Sequence, residues 1–291
     1  MSGMSELKDR LRAVTQTRKI TGAMYLLSTS RVKKAMQNID YNLSYMNKLC
    51  FTMKDILLHL KENSLKTPFT ENHEDGITLY ICITSDKGLC GSYNTDVINR
   101  ITSLTDKNSK DTIILSVGTK GTEILKNKGY HPQHIKTEVA AHNLLSAATK
   151  FADRLSELYL KHKIKEAYVV FTEYKSQSVQ NVTVKKLLPL LLEDFNDIED
   201  EVVYSSYPIY EPSVEAVFDL LVPRYITGFM YDVFMQSVAS ENTARMAAMQ
   251  SATDNADKMT ADLQKQINAE RQLAITNEII EISNATDIIG I

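Results

Sequence analysis

Helix-breaking residues are confined almost entirely to the middle of this chain. From Ser5 to Glu62 only Gly22 interrupts, and from Ser213 to Thr286 only Pro223 and Gly228 do. Gly76, Gly88, Gly91, Gly118, Gly121 and Gly129, with Pro68, Pro132, Pro189, Pro208 and Pro212, all lie between those stretches. Uninterrupted runs of that length predict two long terminal helices around an inserted domain. Pro223 must kink its helix or mark a junction, because it removes one backbone bond and crowds the preceding turn.

The N-terminal run has a second, independent signal. Steps of four and three from Leu7 reach Leu11, Val14, Arg18, Thr21, Tyr25, Ser28, Val32, Ala35, Ile39, Asn42, Met46, Leu49, Met53, Ile56 and Leu60. This is a coiled-coil seam, and only Arg18, Thr21, Ser28 and Asn42 on it are polar. A helix of that extent is roughly 85–90 Å long. The C-terminal run has the same spacing at Met249, Ala252, Ala256, Met259 and Leu263, and that line turns polar at Gln266 and Glu270. Residues 1–62 carry eleven Lys and Arg against five Asp and Glu, a net of +6, whereas residues 213–291 carry five against eleven, a net of −6. Opposite charge favours each helix as the other's partner.

Two helices joined through one domain lie most simply antiparallel. The C-terminal helix is then longer by about 15 residues, so about 20 Å of it projects beyond the other's start. In that tip Ile275, Ile279, Ile280, Ile282, Ile288, Ile289 and Ile291 face several directions. A helix apolar on most sides must be buried, and another subunit is the expected cover.

Between the helices, Ile77–Ser85, Thr112–Val117 and Ala167–Thr172 are short β-rich runs, and helical patterns occupy 94–104, 119–128 and 143–162. The alternation predicts a Rossmann-like, mainly parallel sheet, with a further strand over 178–185 beside the third. The expected organisation is therefore α/β: a helix over 1–62, an α/β domain over 75–210 and a helix over 212–291, the terminal helices forming a long antiparallel coiled coil.

No catalytic signature accompanies this plan. Ser85-Asp-Lys-Gly-Leu-Cys-Gly91 sits where α/β folds bind phosphate, yet it matches neither GxGxxG nor GxxxxGK[ST], and a tight strand-to-helix turn is the better reading. Gly118-Thr-Lys-Gly121 stands in the same relation to the second strand. His131 and His134 have no carboxylate or Cys at ligand spacing and read as an exposed loop, so neither metal nor cofactor is expected. Cys50, Cys82 and Cys90 form no CxxC pair, and Cys90 beside Lys87 lacks a nearby His in the sequence. The net charge of −3 and the acidic match for the basic helix face (Arg18-Lys19, Arg31 and Lys33-Lys34) argue against nucleic acid as a partner. The polar opening and the lack of any apolar run near ~20 residues predict membrane association only through partners.

Several segments together resemble one family closely. They are Arg18–Met24 (RKITGAM) with 28–34, Ser85–Gly91 (SDKGLCG), Tyr210-Glu-Pro212, Pro223-Arg-Tyr225 and Ala239–Asn255 (ASENTARMAAMQSATDN), completed by Arg271-Gln272, Ile275-Thr-Asn-Glu278 and Glu281-Ile282. Their order and spacing resemble the γ subunit, the central rotor shaft, of F-type ATP synthases. The resemblance implies a non-catalytic part that turns inside a ring of α and β subunits and couples proton flow through a membrane c-ring to their conformational cycle, with a small ε subunit as a further partner. It implies that Met24, Arg245, Arg271, Gln272, Thr276, Glu278 and Glu281 contact or couple to the catalytic ring. It further implies that Tyr210 and Glu211 meet the c-ring, with Asp86, Lys87 and Gly88 at the same foot. The expected location is peripheral, on the cytoplasmic side of a bacterial membrane, since no transit-type leader is present. Gly22 departs from the family's usual Lys, and the 283–291 end lacks its small-residue finish. Two alternatives from other classes stay open: a nucleotide-binding α/β enzyme, and a coiled-coil tether unrelated to energy coupling.

Overall fold

The computed structural model describes residues 2–62, 66–71, 73–135, 143–196 and 209–289, with side chains from 3 to 282 within those ranges. Of the isoleucines expected at the tip, the side chains of Ile288 and Ile289 and the whole of Ile291 lie outside the described residues. The chain forms two compact units, one of residues 1–29 with 245–291 and one of residues 30–244. Helix α1 spans Ser2–Glu62 and α5 spans Val214–Ile289, so each helix contributes to both units. At 61 and 76 residues they differ by the 15 residues expected.

In the larger unit a five-stranded sheet is ordered β3-β2-β1-β4-β5. Its strands are β1 (Ile77–Ile83), β2 (Thr112–Val117), β3 (Gln133–Ile135), β4 (Ile164–Tyr174) and β5 (Gln180–Leu188). All neighbours are parallel except β4 and β5, which pair antiparallel with Val170 opposite Val184. Helices α2 (Tyr93–Leu104), α3 (Thr119–Asn127) and α4 (Leu144–Leu160) connect or flank the strands, and a short 3-10 turn occupies Leu192–Phe195.

Because side chains alternate along a strand, the sheet feeds two cores. Ile81, Ile83, Val117, Val169 and Phe171 face a large core with Ala148, Ala152, Leu155 and Tyr159 of α4, which recur at helical spacing. Leu49, Met53, Ile56 and Leu60 of α1 and Phe218, Val222, Ile226, Met230 and Phe234 of α5 join that same core. One residue out of step, Cys82, Ile114 and Val170 meet Val97, Ile98 and Ile101 of α2 and Leu125 of α3 on the other face. Within this unit α1 and α5 run antiparallel, since Asn38 reaches Met235 Sδ (3.7 Å) and Asn42 Nδ2 donates to the Gly228 carbonyl (3.1 Å). Gly228 permits the close approach, because a Cβ there would stand 2.4 Å from Met46 Sδ.

One expectation changes here and another narrows. His131-Pro-Gln-His134 is not wholly a loop: Gln133–Ile135 forms the edge strand β3, with His134 opposite Ser116 and its Nδ1 3.0 Å from Thr122 Oγ1. Of the two readings of Pro223 the junction is excluded: α5 continues through it, and the Thr227 hydroxyl donates to the Pro223 carbonyl at 2.8 Å.

In the smaller unit the antiparallel pairing is seen directly. Thr29 contacts Met246 Sδ (3.3 Å), Thr21 and Thr253 share a hydroxyl hydrogen bond (2.7 Å), and Arg18 pairs with Asp257. The expected α1 seam is reproduced: Leu7, Leu11, Val14, Thr21, Tyr25 and Ser28 are partly or fully buried, and only Arg18 is exposed. On α5 the seam is shifted. Met246, Met249, Ala256, Leu263 and Ile267 are buried, with half-buried Thr253 and Thr260 completing the four-three rhythm. Ala252 is only half-buried and Met259 is 43% exposed, so the expected line through them is corrected. At Thr253 the seam tolerates a threonine because its hydroxyl is satisfied locally, donating to the Met249 carbonyl at 2.8 Å, whereas the buried Thr260 hydroxyl has no partner among the described residues.

Candidate functional site

The feature that separates this chain from a self-contained coiled coil is the end of α5. Past Ile267 every side chain from 268 to 282 is exposed. Among them Leu273 is 58% exposed, Ile275 49%, Ile279 61%, Ile280 49% and Ile282 64%. The expected overhang is therefore present, and no described residue of its own unit covers it. Arg271, Gln272, Thr276, Glu278 and Glu281 lie on this stretch and are exposed, with Thr276 donating to the Gln272 carbonyl at 2.9 Å. Arg271, its one cation, makes no ion pair among the described residues.

Two further expected contacts lie in the same unit but are presented differently. Met24 is half-buried beside the seam. Arg245 is only 5% exposed, so its side chain lies inside the fold. Sequence reasoning passed over Ile20, Leu26 and Leu27, which are 54%, 68% and 62% exposed on α1. Their signal was available: they are apolar residues off the seam, on a surface that should be polar if water were its only neighbour.

In the larger unit Tyr210 lies just ahead of α5, where its hydroxyl bonds the Asp55 carboxylate and its ring meets His59 edge-on at 5.9 Å. Asp55 and His59 are one turn apart on α1, so two helical neighbours fix the tyrosine; Glu211 beside it is exposed. The Asp86–Gly91 turn is elsewhere. It follows the C-terminal end of β1 and leads into Tyr93, whose hydroxyl is pushed up by burial and then by the nearby Glu241 carboxylate. At that same end of the sheet Ser240 of α5 donates to the Thr172 carbonyl at 3.1 Å. Tyr210 belongs with the opposite end, near the start of α5, so the expected common foot of Asp86, Lys87, Gly88, Tyr210 and Glu211 is corrected. Ser240 lies 26 residues along α5 from Val214, about 39 Å at the helical rise, which separates the turn's end of the sheet from Tyr210.

The geometry of the turn also explains the missing phosphate motif. The Ser85 amide donates to Asn94 Oδ1 (2.9 Å), the Ser85 hydroxyl donates to the Lys87 carbonyl (2.7 Å), and Asn94 Nδ2 donates to Ser85 Oγ (2.8 Å). Asp86 Oδ1 accepts the Thr119 amide (3.1 Å) and hydroxyl (3.2 Å) at the start of α3. A helix N-terminus attracts anions, and this one already holds a carboxylate of its own chain. Gly118 and Gly121 serve packing: a Cβ would stand 2.2 Å from Thr84 O and 2.3 Å from Thr84 Oγ1 respectively. Cys82 is pushed up to about 12 and Cys50 to about 11 by burial, which removes both from thiolate chemistry. Among the described residues no cluster of His, Cys, Asp and Glu could hold a metal ion.

Comparison with known proteins agrees with this geometry. The family described as ATP synthase matches residues 3–287. The chain is 36% identical to the ATP synthase gamma chain of Ruminiclostridium cellulolyticum, covering 97% of each chain. It is 37% identical to that of Caldanaerobacter subterraneus, covering 98% of this chain and 100% of the relative. In fold it is similar to a chain of the Euglena gracilis mitochondrial ATP synthase, with a TM-score of 0.63 at 15% identity over 99% of this chain and 95% of that one. A chain of the Tetrahymena thermophila central stalk and c-ring structure gives a TM-score of 0.57 at 22% identity over 80% of this chain and 99% of that one. A family match that runs almost end to end, with relatives of this identity over nearly the whole length, means that the chain belongs to the ATP synthase gamma-chain family.

Proposed function

We infer that this chain is the central rotor shaft of an F-type ATP synthase, coupling proton translocation through a membrane c-ring to conformational cycling of the catalytic β subunits while making no covalent bond itself. The observation that carries this reading is the α5 overhang. Fifteen exposed residues, among them Leu273, Ile275, Ile279, Ile280 and Ile282, need an apolar sleeve that the chain does not supply. A ring of α and β subunits closed around that tip supplies one. In this reading Ile20, Met24, Leu26 and Leu27 continue the bearing surface on α1. Arg271 and Gln272 are its directional grip, since a guanidinium makes paired hydrogen bonds to a carboxylate that a greasy surface cannot. Thr276, Glu278 and Glu281 add polar contacts on the same stretch, and Arg245 couples from within the fold.

At the other end Tyr210 and Glu211 face the c-ring, with the Tyr210–Asp55–His59 cluster holding them to α1. The ε subunit is a further partner. No helix among the described residues is long and apolar enough to cross a membrane. Attachment through the c-ring on the cytoplasmic side of a bacterial membrane fits that finding. The nucleotide-enzyme alternative loses support from the Asp86 carboxylate at the α3 N-terminus. Native mass spectrometry of complexes from solubilised membranes tests the assignment: one copy of this chain per catalytic ring is expected. Recovery free of α and β subunits, or in equal number with them, would overturn it.

A further inference from the structure

One surface of the larger unit is left unused by the rotor mechanism. Between α1, α5 and the start of α4 lies an open groove of about 530 Å³, lined by Asn38, Tyr41, Asn42, Tyr45, Leu145, Thr149, Arg224, Thr227, Gly228 and Tyr231. Tyr41 is 81% exposed and Tyr45 50%, and Arg224 is exposed. The hydroxyls of Tyr41, Tyr45 and Tyr231 and the Arg224 guanidinium make no hydrogen bond or ion pair with any described residue. Tyrosine and arginine are the side chains that dominate interface energetics, and here four of them surround one groove with their polar ends unmatched. Solvent alone gives no reason to gather them.

Charge and spacing specify what fits. No lining residue is acidic. Asn38, Tyr41 and Tyr45 follow the helical four-three step on α1, and Lys34 and Lys48, both exposed, continue it one turn beyond each end. From Lys34 to Lys48 is roughly 21 Å at the helical rise, the length of a helix of about four turns. Leu145 supplies an apolar edge. We propose that this groove seats an acidic amphipathic helix of a partner that turns together with this chain, its carboxylates on Arg224, Lys34 and Lys48 and its apolar face on Tyr41, Tyr45 and Tyr231. Co-rotation rests on the rotor reading above, because a stationary helix held by four such anchors would have to be released at every turn; the docking itself does not.

The test uses the intact complex in its native membranes, with a photoreactive benzoylphenylalanine in place of Tyr41 and a control at exposed Leu104. Mass spectrometry of the adducts is expected to show one acidic helical segment of another subunit. Adduct yield should fall about tenfold with Arg224→Glu and persist with Arg224→Lys, the loss being in the range caused by removing an interface arginine. Adducts to lipid, to a basic or extended segment, or at the frequency of the Leu104 control would overturn the docking site, as would an unchanged yield in Arg224→Glu. ATP hydrolysis should continue after cross-linking. Arrest would refute co-rotation while leaving the shaft assignment intact, whereas loss of the shaft assignment would appear as absence of this chain from the ring-containing complex.

Discussion

Replacing Ile275, Ile279 and Ile282 together by serine should leave the isolated chain as stable as before and weaken its seating in the catalytic ring by about a hundredfold. These side chains are 49%, 61% and 64% exposed, so on average rather more than half of each still awaits burial. Full burial of an isoleucine is worth about 1.5–3 kcal/mol, so covering the remaining half in a sleeve contributes about 1 kcal/mol each and about 3 kcal/mol for the three. At about 1.4 kcal/mol per tenfold, that is roughly two decades in dissociation constant. In the free chain the same positions face water, and the substitutions remove no intramolecular contact of comparable size. The assay pairs thermal unfolding of the isolated chain with competition against the wild type for assembly into the ring. A fall in melting temperature of more than a few degrees in the free variant would refute the reasoning, because it would mean that the chain covers its own tip. Equal competition for assembly would refute it from the other side.

Other outcomes follow from single residues. Gly118→Ala and Gly121→Ala each place a methyl within 2.3 Å of Thr84 and should cost about 1–3 kcal/mol in urea unfolding of the α/β domain, as overpacking does. Gly22→Ala should instead stabilise α1 by up to about 1 kcal/mol, since no atom lies within 4 Å of the added Cβ and helix propensity is all that changes. Asp232 is a carboxyl pushed up by burial, an effect only partly offset by the hydrogen bond from Gln236 and by Lys185. Its ionised form therefore weakens the fold above the raised value, and the penalty is relieved as pH falls through that value towards about 4, the ordinary carboxylate pKa. Asp232→Asn should accordingly raise stability at neutral pH, with the gain fading as the pH approaches 4; a gain that grew with acidification would show the sign to be wrong.

The terminal helices were legible because both supports were periodic and redundant. Breakers were absent, and the four-three step from Leu7 to Leu60 lands on protected positions at every point but Arg18. The α5 seam was harder to read, since Thr253 and Thr260 hold half-buried seam positions that a count of apolar residues does not register, Thr253 with its hydroxyl bonded to the Met249 carbonyl. Edge strand β3 is three residues long and follows Pro132, so it has neither the length nor the alternation by which strands are recognised. The three longer parallel strands were visible as apolar runs because both faces of the sheet are covered there. The placement of the Asp86–Gly91 turn was beyond sequence reasoning: residues name a turn after a strand, but nothing in them says towards which end of α5 that strand points. Tyr210 gave no chemical hint either, because its partners Asp55 and His59 lie more than 150 positions away in the chain.

The most direct test of the shaft is to watch it turn. With the catalytic ring fixed to a surface and a probe attached at exposed Lys107 of this chain, added ATP should drive continuous rotation in one direction. A probe that stays still, or only fluctuates, while the same immobilised complexes hydrolyse ATP would contradict the account.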